Sequence, residues 1–276
     1  MTKTTLISEW MTWQRAQGLS SRTVEDRAFT VERMARWTGQ DPVMIKSADI
    51  VEWLAEGGDW SRNTRWTYHT SLSAWFLWLQ KLGHRVDNPM IVIDRPRRLK
   101  GYPHPISDDE MRRLLSSPLE LRTRAMIVLA GFEGLRIHEI AKVRGEHFDL
   151  AGRTMRVTGK GGSTWTLPLH PLVVKLAEDM PRRGFWFPGR TGGHQRRESV
   201  GGTIKETMIR LGVPGSAHSL RHWFGTALME AGVDLRVIQM LMRHQNLATT
   251  EIYTLVNDRR RSEGIDKLDP FSAMAA

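Results

Sequence analysis

A stretch rich in proline and arginine divides this 276-residue chain into two parts. It runs from Asn88 to Ile106 and contains four prolines. Proline lacks a backbone N–H and fixes φ, so this density of prolines interrupts any helical pattern. We therefore predict a first domain at residues 1–88, an interdomain linker at 89–106, a second domain at 107–257 and a C-terminal tail at 258–276.

The first domain is predicted to contain only helices. Apolar residues recur at helical spacing in four segments, which end near Gly18, Gly39, Gly57 and Gly83. Eight of the eleven tryptophans fall in this part. Their spacing predicts the core of a small helix bundle, and a stacking platform for nucleic-acid bases is the alternative.

The charge balance favours a polyanionic partner. Lys and Arg number 40 against 30 Asp and Glu, giving a formal net charge of +10, although ribosomal and membrane-surface proteins share this balance. Six basic residues of the fourth helical segment and the linker are candidates for contacts with a phosphate backbone: Arg62, Arg65, Arg95, Arg97, Arg98 and Lys100. A basic linker could also lie along a duplex and let two domains embrace it.

Composition also excludes several chemistries. The chain has no cysteine, which excludes disulfides, thiolate metal sites and a cysteine nucleophile. It has no run of about 18 apolar residues and no signal-peptide pattern. We expect no membrane partner and a cytoplasmic or nucleoid-associated protein.

The second domain is predicted to be mixed. Ser107 and Glu110 have capping-box spacing at the start of a helix, and another apolar helix spans 121–132. Three short segments separated by glycine-containing turns, near 148–150, 155–158 and 164–167, predict an antiparallel meander. Helices return from residue 171. The fold class is thus mainly α with a small antiparallel β-meander.

Tyr253 is a candidate nucleophile, although a single tyrosine in a polar helical segment is more often a surface residue. It stands nine residues after His244, a spacing that would put the two side chains on opposite faces of one straight helix. A break between them is therefore required. Asn246 suits a turn and Thr249 can cap a new helix, so we predict the break at 245–249.

Other residues suited to a phosphodiester precede it. Arg136 follows Gly134, with Glu139 three residues on and able to fix the guanidinium. Lys160 occupies the tip of a glycine-rich hairpin, and His218 and Arg221 lie three residues apart on one helical turn. Each of them taken alone is more simply a surface or turn residue, so only their joint occurrence in this order carries the argument.

This series of residues closely resembles the tyrosine recombinase (phage integrase) family. The family's boxes take the forms Gly-Leu-Arg-x-x-Glu, a hairpin Lys, His-x-Leu-Arg-His, and Leu-Gly-His followed by Ile-Tyr. In this chain they read Gly134-Leu135-Arg136-Ile137-His138-Glu139, Lys160, His218-Ser219-Leu220-Arg221-His222, and Met242-Arg243-His244 with Ile252-Tyr253. One departure is that Arg243 replaces the usual Gly, so the turn before His244 is closed differently or Arg243 adds a phosphate contact.

The resemblance implies a mechanism. Arg136 and Arg221 would hold the scissile phosphate, His244 would add a hydrogen bond, and Tyr253 would attack. His218 would assist as general base and Lys160 would serve as general acid, with Glu139 in support. The resemblance implies a 3′-phosphotyrosyl intermediate, no metal and no other cofactor.

The resemblance also implies the partners and the organisation of the chain. The first domain would be the family's core-binding domain and the second its catalytic domain. Double-stranded DNA carrying attachment-type or core sites would be the substrate, bound by a homo-tetramer, with an accessory DNA-bending protein or a directionality factor as a further partner. The chain looks like the compact integrases or the Xer type, which lack an arm-binding module.

Several alternatives stay open at this point. A phage or prophage integrase is the main hypothesis, and an Xer-like dimer-resolution or transposon recombinase is the alternative. A type IB topoisomerase uses similar groups, and a non-catalytic DNA-binding regulator is the hypothesis from a different class. The tail at 258–276 either packs on its own domain or docks on a neighbouring protomer; in the latter case, deleting it would leave DNA binding and impair strand exchange.

Overall fold

The computed structural model describes residues 3–99, 104–159 and 162–243, with side chains from residue 6 onward. The chain divides into two compact units, Met1–Gly101 and Tyr102–Ala276. The predicted break at 245–249 and the predicted tail lie outside the described residues. Among the described helices, none is both long and apolar enough to cross a membrane.

The first unit contains four helices, as the apolar spacing predicted. They are α1 Lys3–Ala16, α2 Ser21–Thr38, α3 Ser47–Glu56 and α4 Arg62–Lys81. Serine side chains start two of them, because Ser20 accepts a hydrogen bond from the N–H of Thr23 and Ser61 accepts one from that of Thr64. Gly39 follows the end of α2 with a φ of 67°, a left-handed conformation that glycine adopts without strain.

Tryptophans fill the centre of this bundle. Trp10 and Trp75 are fully buried and meet edge to face, with ring centroids 5.1 Å apart, a geometry worth about 0.5–1.5 kcal/mol beyond simple burial. The core interpretation is confirmed for five of the eight tryptophans: Trp10, Trp53, Trp60, Trp75 and Trp78. Trp13 and Trp37 are instead 38% and 42% exposed.

Part of the predicted linker is attached to the first unit. Met90 is buried in the core of that unit and Ile93 packs against it. Farther along, the side-chain amide of Asn63 donates to the carbonyl of Leu99 at 3.2 Å and accepts from its N–H at 3.0 Å. The basic residues between these points therefore lie close to the start of α4, and Lys100 lies outside the described residues.

The second unit combines helices with one small sheet. Its helices are α5 Asp108–Ser116, α6 Leu121–Phe132, α7 Ile137–Ile140, α8 Pro171–Asp179, α9 Arg197–Arg210, α10 Ala217–Glu230 and α11 Leu235–Leu241. The strands β1 Phe148–Asp149, β2 Thr154–Thr158 and β3 Thr164–Pro168 form an antiparallel sheet in the order β1-β2-β3. The predicted fold class, mainly α with an antiparallel meander, is confirmed.

Helix α6 forms the centre of the second core. Seven of its twelve residues are buried, from Ala125 to Gly131, and it packs against α8, α9 and α10. One face of the sheet closes the core through Met155, Val157 and Leu167. Helix α6 is packed directly against α10, so the chain that follows its C-terminal end lies beside α10. The candidate site begins at this point.

Candidate functional site

The turn after α6 places Arg136 at the surface of the second unit, above its hydrophobic core. Gly134 has a φ of 55°, and a Cβ at this position would lie 2.5 Å from the ring of Phe224, so only glycine fits. Leu135 is buried next to it and its N–H bonds to the carbonyl of Leu129 at 3.1 Å. The chain is thereby reversed before Arg136, which directly precedes the short helix α7.

Glu139 forms hydrogen bonds to Arg136 on its buried side. Its carboxylate accepts the backbone N–H of Arg136 at 2.8 Å and the Nη1 of the same residue at 3.1 Å. The side chain of Glu139 is fully buried, whereas 36% of the Arg136 side chain remains exposed. The guanidinium is therefore oriented by a buried charge and still reaches solvent, as a donor for an incoming anion requires.

Arg221 comes to the same place from α10. It is 2% exposed and its Nη1 donates to the carbonyl of Gly134, while its Nη2 donates to that of Met242 at 2.5 Å. Together with Arg136 and His218, it lines a cavity of about 390 Å³. The structure thus brings three of the residues predicted from the sequence together, although Arg136 and Arg221 lie 85 residues apart in the chain.

His218 stands on the first turn of α10, where part of its side chain is exposed and the rest lines the cavity. Partial burial and the positive charges of Arg221 and Arg136 lower the pKa of His218 below its usual range. The ring of His222 packs edge to face on it at 4.2 Å, and burial together with these neighbours lowers the pKa of His222 to about 4. Both imidazoles are therefore neutral at pH 7, and a neutral imidazole can accept a proton.

Arg243 plays a part that the sequence left open. Its φ is 53°, the left-handed conformation that the glycine of the family motif would adopt without strain. Its side chain is fully buried, and Nη2 donates to Glu139 Oε2 at 2.9 Å and to the carbonyl of Gly134 at 3.0 Å. Neither alternative describes this arrangement, because the backbone keeps the left-handed conformation that glycine would adopt and the guanidinium points into the protein, away from any phosphate.

Glu133 is a second buried acid that the sequence reasoning missed. It is 4% exposed and accepts the backbone N–H of His170 at 2.8 Å. Burial raises the pKa of Glu133 to about 8, against the opposing effects of that hydrogen bond and of the charge of Arg243. Its position directly before the Gly-Leu-Arg box was the available signal, but sequence spacing does not show that its side chain is buried.

Three predicted residues, Lys160, His244 and Tyr253, lie outside the described part of the chain. The strands on either side of Lys160 are described, and they pair as far as Thr158 with Thr164. Within residues 3–99, 104–159 and 162–243, no group of three His, Asp or Glu side chains is arranged to hold a metal ion.

A separate basic surface lies on the first unit, around Trp66. The guanidinium carbons of Arg95 and Arg98 lie 5.9 Å and 5.0 Å from the centre of its ring. Arg62 is four residues earlier on α4 and therefore on the same side of that helix. We call Arg62, Arg95 and Arg98 with Trp66 the basic face. Arg97 is exposed as well, whereas Arg65 uses its Nε to bond the carbonyl of Leu54 at 2.9 Å.

Comparison with known proteins gives three kinds of match. The model of the phage integrase family matches residues 106–260. Tyrosine recombinase XerD of Vibrio vulnificus (strain YJ016) is 30% identical over 279 residues, covering 92% of this chain and 90% of the relative. XerD of Vibrio cholerae serotype O1 is 29% identical over 269 residues, covering 88% and 89%.

Solved structures give the same result. An integrase from mycobacterium phage Brujita is 64% identical, with a TM-score of 0.52, over 96% of this chain and 92% of that chain. The XerH recombinase bound to its difH substrate is 20% identical with a TM-score of 0.68, over 97% and 85%, which shows the fold alone. With a family model that covers more than half of its length and relatives that match almost end to end, the chain belongs to the phage integrase family, the tyrosine recombinases, which are DNA strand-transferring enzymes.

Proposed function

We propose that this chain is a site-specific recombinase of the integrase type, which cuts and rejoins duplex DNA through a 3′-phosphotyrosyl intermediate on Tyr253. The observation that carries the proposal is the convergence of Arg136, Arg221 and His218 on one cavity. The identity of 64% with a phage integrase favours integration over the other roles of the family.

In this mechanism the two arginines bind the non-bridging oxygens of the scissile phosphate. A guanidinium presents paired donors in a plane, which suits two phosphate oxygens better than the single ammonium of lysine. Because Glu139 and backbone carbonyls already orient both groups, little reorganisation is needed when negative charge grows in the transition state. His244 donates a further hydrogen bond to the same phosphate.

The bond changes follow from the remaining residues. The hydroxyl oxygen of Tyr253 attacks phosphorus and gives its proton to His218, which is neutral at pH 7 because its pKa is lowered. The bond from phosphorus to the 5′ oxygen breaks, and Lys160 gives that oxygen a proton. A 5′ hydroxyl of the partner strand then attacks the phosphotyrosine in the reverse sense. The linkage conserves the energy of the phosphodiester, so rejoining needs no ATP.

Duplex DNA is the proposed partner. Related structures include an XerH recombinase bound to difH and a lambda integrase dimer bound to a core site. The basic face of the first unit, with Arg97, offers exposed cations for the phosphate backbone. We propose that residues 1–88 bind the core site, that residues 107–257 cut it, and that four protomers act on two sites, with a DNA-bending or directionality protein as an accessory.

An Xer-like role is the second candidate function. XerD relatives that are about 30% identical match 92% of this chain. The two roles differ in substrate, since an integrase joins two different sites and a resolving enzyme acts on two copies of one site. Recombination assays that pair identical sites and non-identical sites from the flanking DNA distinguish these candidates.

A nicked duplex that carries the cognate site tests the chemistry. When the cut strand ends close to the scissile phosphate, the short 5′-hydroxyl fragment diffuses away and the covalent adduct accumulates. We expect an adduct with the wild type and with Tyr68→Phe, which serves as the matched control, and none with Tyr253→Phe. Absence of an adduct from the wild type on every cognate site would refute the proposal.

A further inference from the structure

A buried arginine sits behind the two arginines of the site. Arg243 follows the end of α11, where its N–H bonds to the carbonyl of Met240 at 3.0 Å. Its φ of 53° lies in the region that residues with a Cβ rarely adopt. A residue other than glycine persists there when its surroundings compensate for the strain, so the contacts of its side chain indicate what it does.

These contacts reach the supports of both active-site arginines. Glu139 receives Arg136 on Oε1 and Arg243 on Oε2, at 3.1 Å and 2.9 Å. The carbonyl of Gly134 accepts Nη1 of Arg221 and Nη2 of Arg243. In addition, the carbonyl of Arg243 accepts Nη2 of Arg136 at 3.4 Å. One residue therefore touches the acid that orients Arg136 and the carbonyl that orients Arg221.

Arg243 itself is placed out of reach of the substrate. Its side chain is 0% exposed, and Nη1 is turned back to the carbonyl of Leu241 at 2.7 Å. A phosphate in the cavity lined by Arg136, Arg221 and His218 would meet those residues and not this guanidinium. Any effect of Arg243 on the reaction is therefore exerted through its neighbours.

We propose that Arg243 is a positioning residue, which fixes Glu139 and Gly134 so that Arg136 and Arg221 present their donors to one phosphate. This inference rests on the proposed function, in which those two arginines hold the scissile phosphate. It assigns a role to the position where the family motif has glycine: this chain keeps the backbone conformation that glycine allows and adds a guanidinium to the buried side of the site.

The charge of Glu139 links this role to pH. Burial on its own raises the pKa of Glu139, but the charge of Arg243, the hydrogen bond from the N–H of Arg136 and, to a smaller extent, the charges of Arg136 and Arg221 bring it below its usual range. These cations face it from the turn after α11, from its own turn and from α10, and Glu133 lies beyond Arg243. Without Arg243 the effect of burial would dominate, and Glu139 would take up a proton at a higher pH.

The test is the single-turnover rate of cleavage of the nicked site at saturating protein, from pH 5 to pH 9. The dissociation constant of the complex between the protein and this DNA is measured in parallel. Arg243→Gly relaxes the backbone and removes the guanidinium. We expect its cleavage rate at pH 7 to fall about 10- to 100-fold, because small misplacements of donors have effects of this size, with little change in affinity. We also expect the acidic limb of its profile to move to higher pH.

Further variants separate this role from a general loss of folding. Arg243→Lys keeps the charge next to Glu139, so it should restore the acidic limb while cleavage stays slower than in the wild type. Arg243→Gln keeps a donor without the charge, and its acidic limb should move as in Arg243→Gly even if the glycine variant unfolds. The double variant Arg243→Gly with Glu139→Gln should lose no more than the worse single variant, since both changes act on one contact.

The outcomes distinguish this inference from the proposed function. The positioning role would be overturned, and the proposed function left intact, if Arg243→Gly and Arg243→Gln formed the adduct at the wild-type rate and with the wild-type pH profile. Full additivity in the double variant would overturn it as well. Absence of an adduct from the wild type would instead overturn the proposed function.

Discussion

The arginines of the basic face and those of the candidate site are held by different kinds of partner. On the basic face, Arg95 and Arg98 lie over the ring of Trp66 and remain exposed. In the site, Arg221 and Arg243 are almost completely buried, and their donors meet carbonyls or the carboxylate of Glu139. The same kind of side chain is thus exposed on the basic face and buried among fixed acceptors in the site.

This difference separates two tasks of a recombinase. Exposed cations attract a polyanion over a distance and release counterions when they bind, which gives an affinity that depends strongly on salt. Buried guanidiniums have lost their freedom during folding, so they direct donors to one place without further ordering. We therefore expect variants of the basic face to change binding and variants of the site to change the rate of cleavage.

The largest effect is expected for Arg136→Ala. This variant removes a donor to the scissile phosphate, and loss of one such donor lowers a rate by about 10²- to 10³-fold. Affinity for the duplex should change little, because many other contacts hold the backbone. Single-turnover cleavage at saturating protein measures the effect, and a matched loss of affinity without a loss of rate would contradict it.

Glu139→Gln is expected to destabilise the second unit. It removes the charged partner of the buried Arg243, and breaking a buried pair in this way costs about 3–5 kcal/mol. The pKa of Glu139 is lowered in the folded protein, so its contribution to stability is present above its unfolded pKa and is lost as the pH falls through the folded pKa. The variant should therefore differ most from the wild type near neutral pH.

Urea unfolding at several pH values measures this difference. Glu178→Gln is the matched control, since Glu178 is exposed on α8 and its loss should change stability by less than about 0.5 kcal/mol. Equal stability of Glu139→Gln and the control at pH 7 would show that the buried pair contributes nothing.

Glu133→Gln should have the opposite effect on the free energy of unfolding. Burial raises the pKa of Glu133 to about 8 in the folded protein, so the folded state binds the proton more tightly and stability falls as the pH rises from the unfolded value towards 8. Glutamine retains an acceptor for the N–H of His170 and removes this dependence. We expect it to stabilise the protein by about 1–3 kcal/mol above pH 8, measured by unfolding at pH 6 and pH 9. A variant less stable than the wild type at pH 9 would contradict the expectation.

The smallest effect is expected for Arg98→Ala on the basic face. Loss of one phosphate contact should reduce the slope of log affinity against log salt by about 1 and leave the cleavage rate at saturation unchanged. Arg22→Ala is the control, because Arg22 is exposed on α2 and already pairs with Asp26 at 2.9 Å. Identical salt slopes for the two variants would exclude Arg98 from the interface.

The sequence predicted those features that depend on local spacing. The capping box of Ser107 with Glu110 and the pair of Arg136 with Glu139 each join residues three apart, and both contacts are present. The meander followed from alternation and glycine turns in the same way. These elements are determined by neighbours in the chain, so reading along the chain finds them.

Features that depend on distant neighbours could not be predicted in this way. The inward turn of Arg243 is set by Glu139 and Gly134, more than a hundred residues earlier. The attachment of the predicted linker to α4 includes the amide of Asn63, which meets Leu99 thirty-six residues later. The burial of Glu133 likewise needs His170 on another element. Periodicity carries no information about such contacts.

One measurement tests the division of tasks most directly: affinity and single-turnover cleavage rate for Arg221→Lys and Arg98→Ala on the same nicked site. Lysine keeps the charge of Arg221, but its single ammonium lacks the separate, coplanar nitrogens with which Arg221 reaches the carbonyls of Gly134 and Met242 and would reach a phosphate. We predict that Arg221→Lys loses at least about 100-fold in cleavage rate with nearly wild-type affinity, while Arg98→Ala keeps the rate and binds less tightly as salt rises. Loss of affinity alone in Arg221→Lys, or loss of rate alone in Arg98→Ala, would contradict the account.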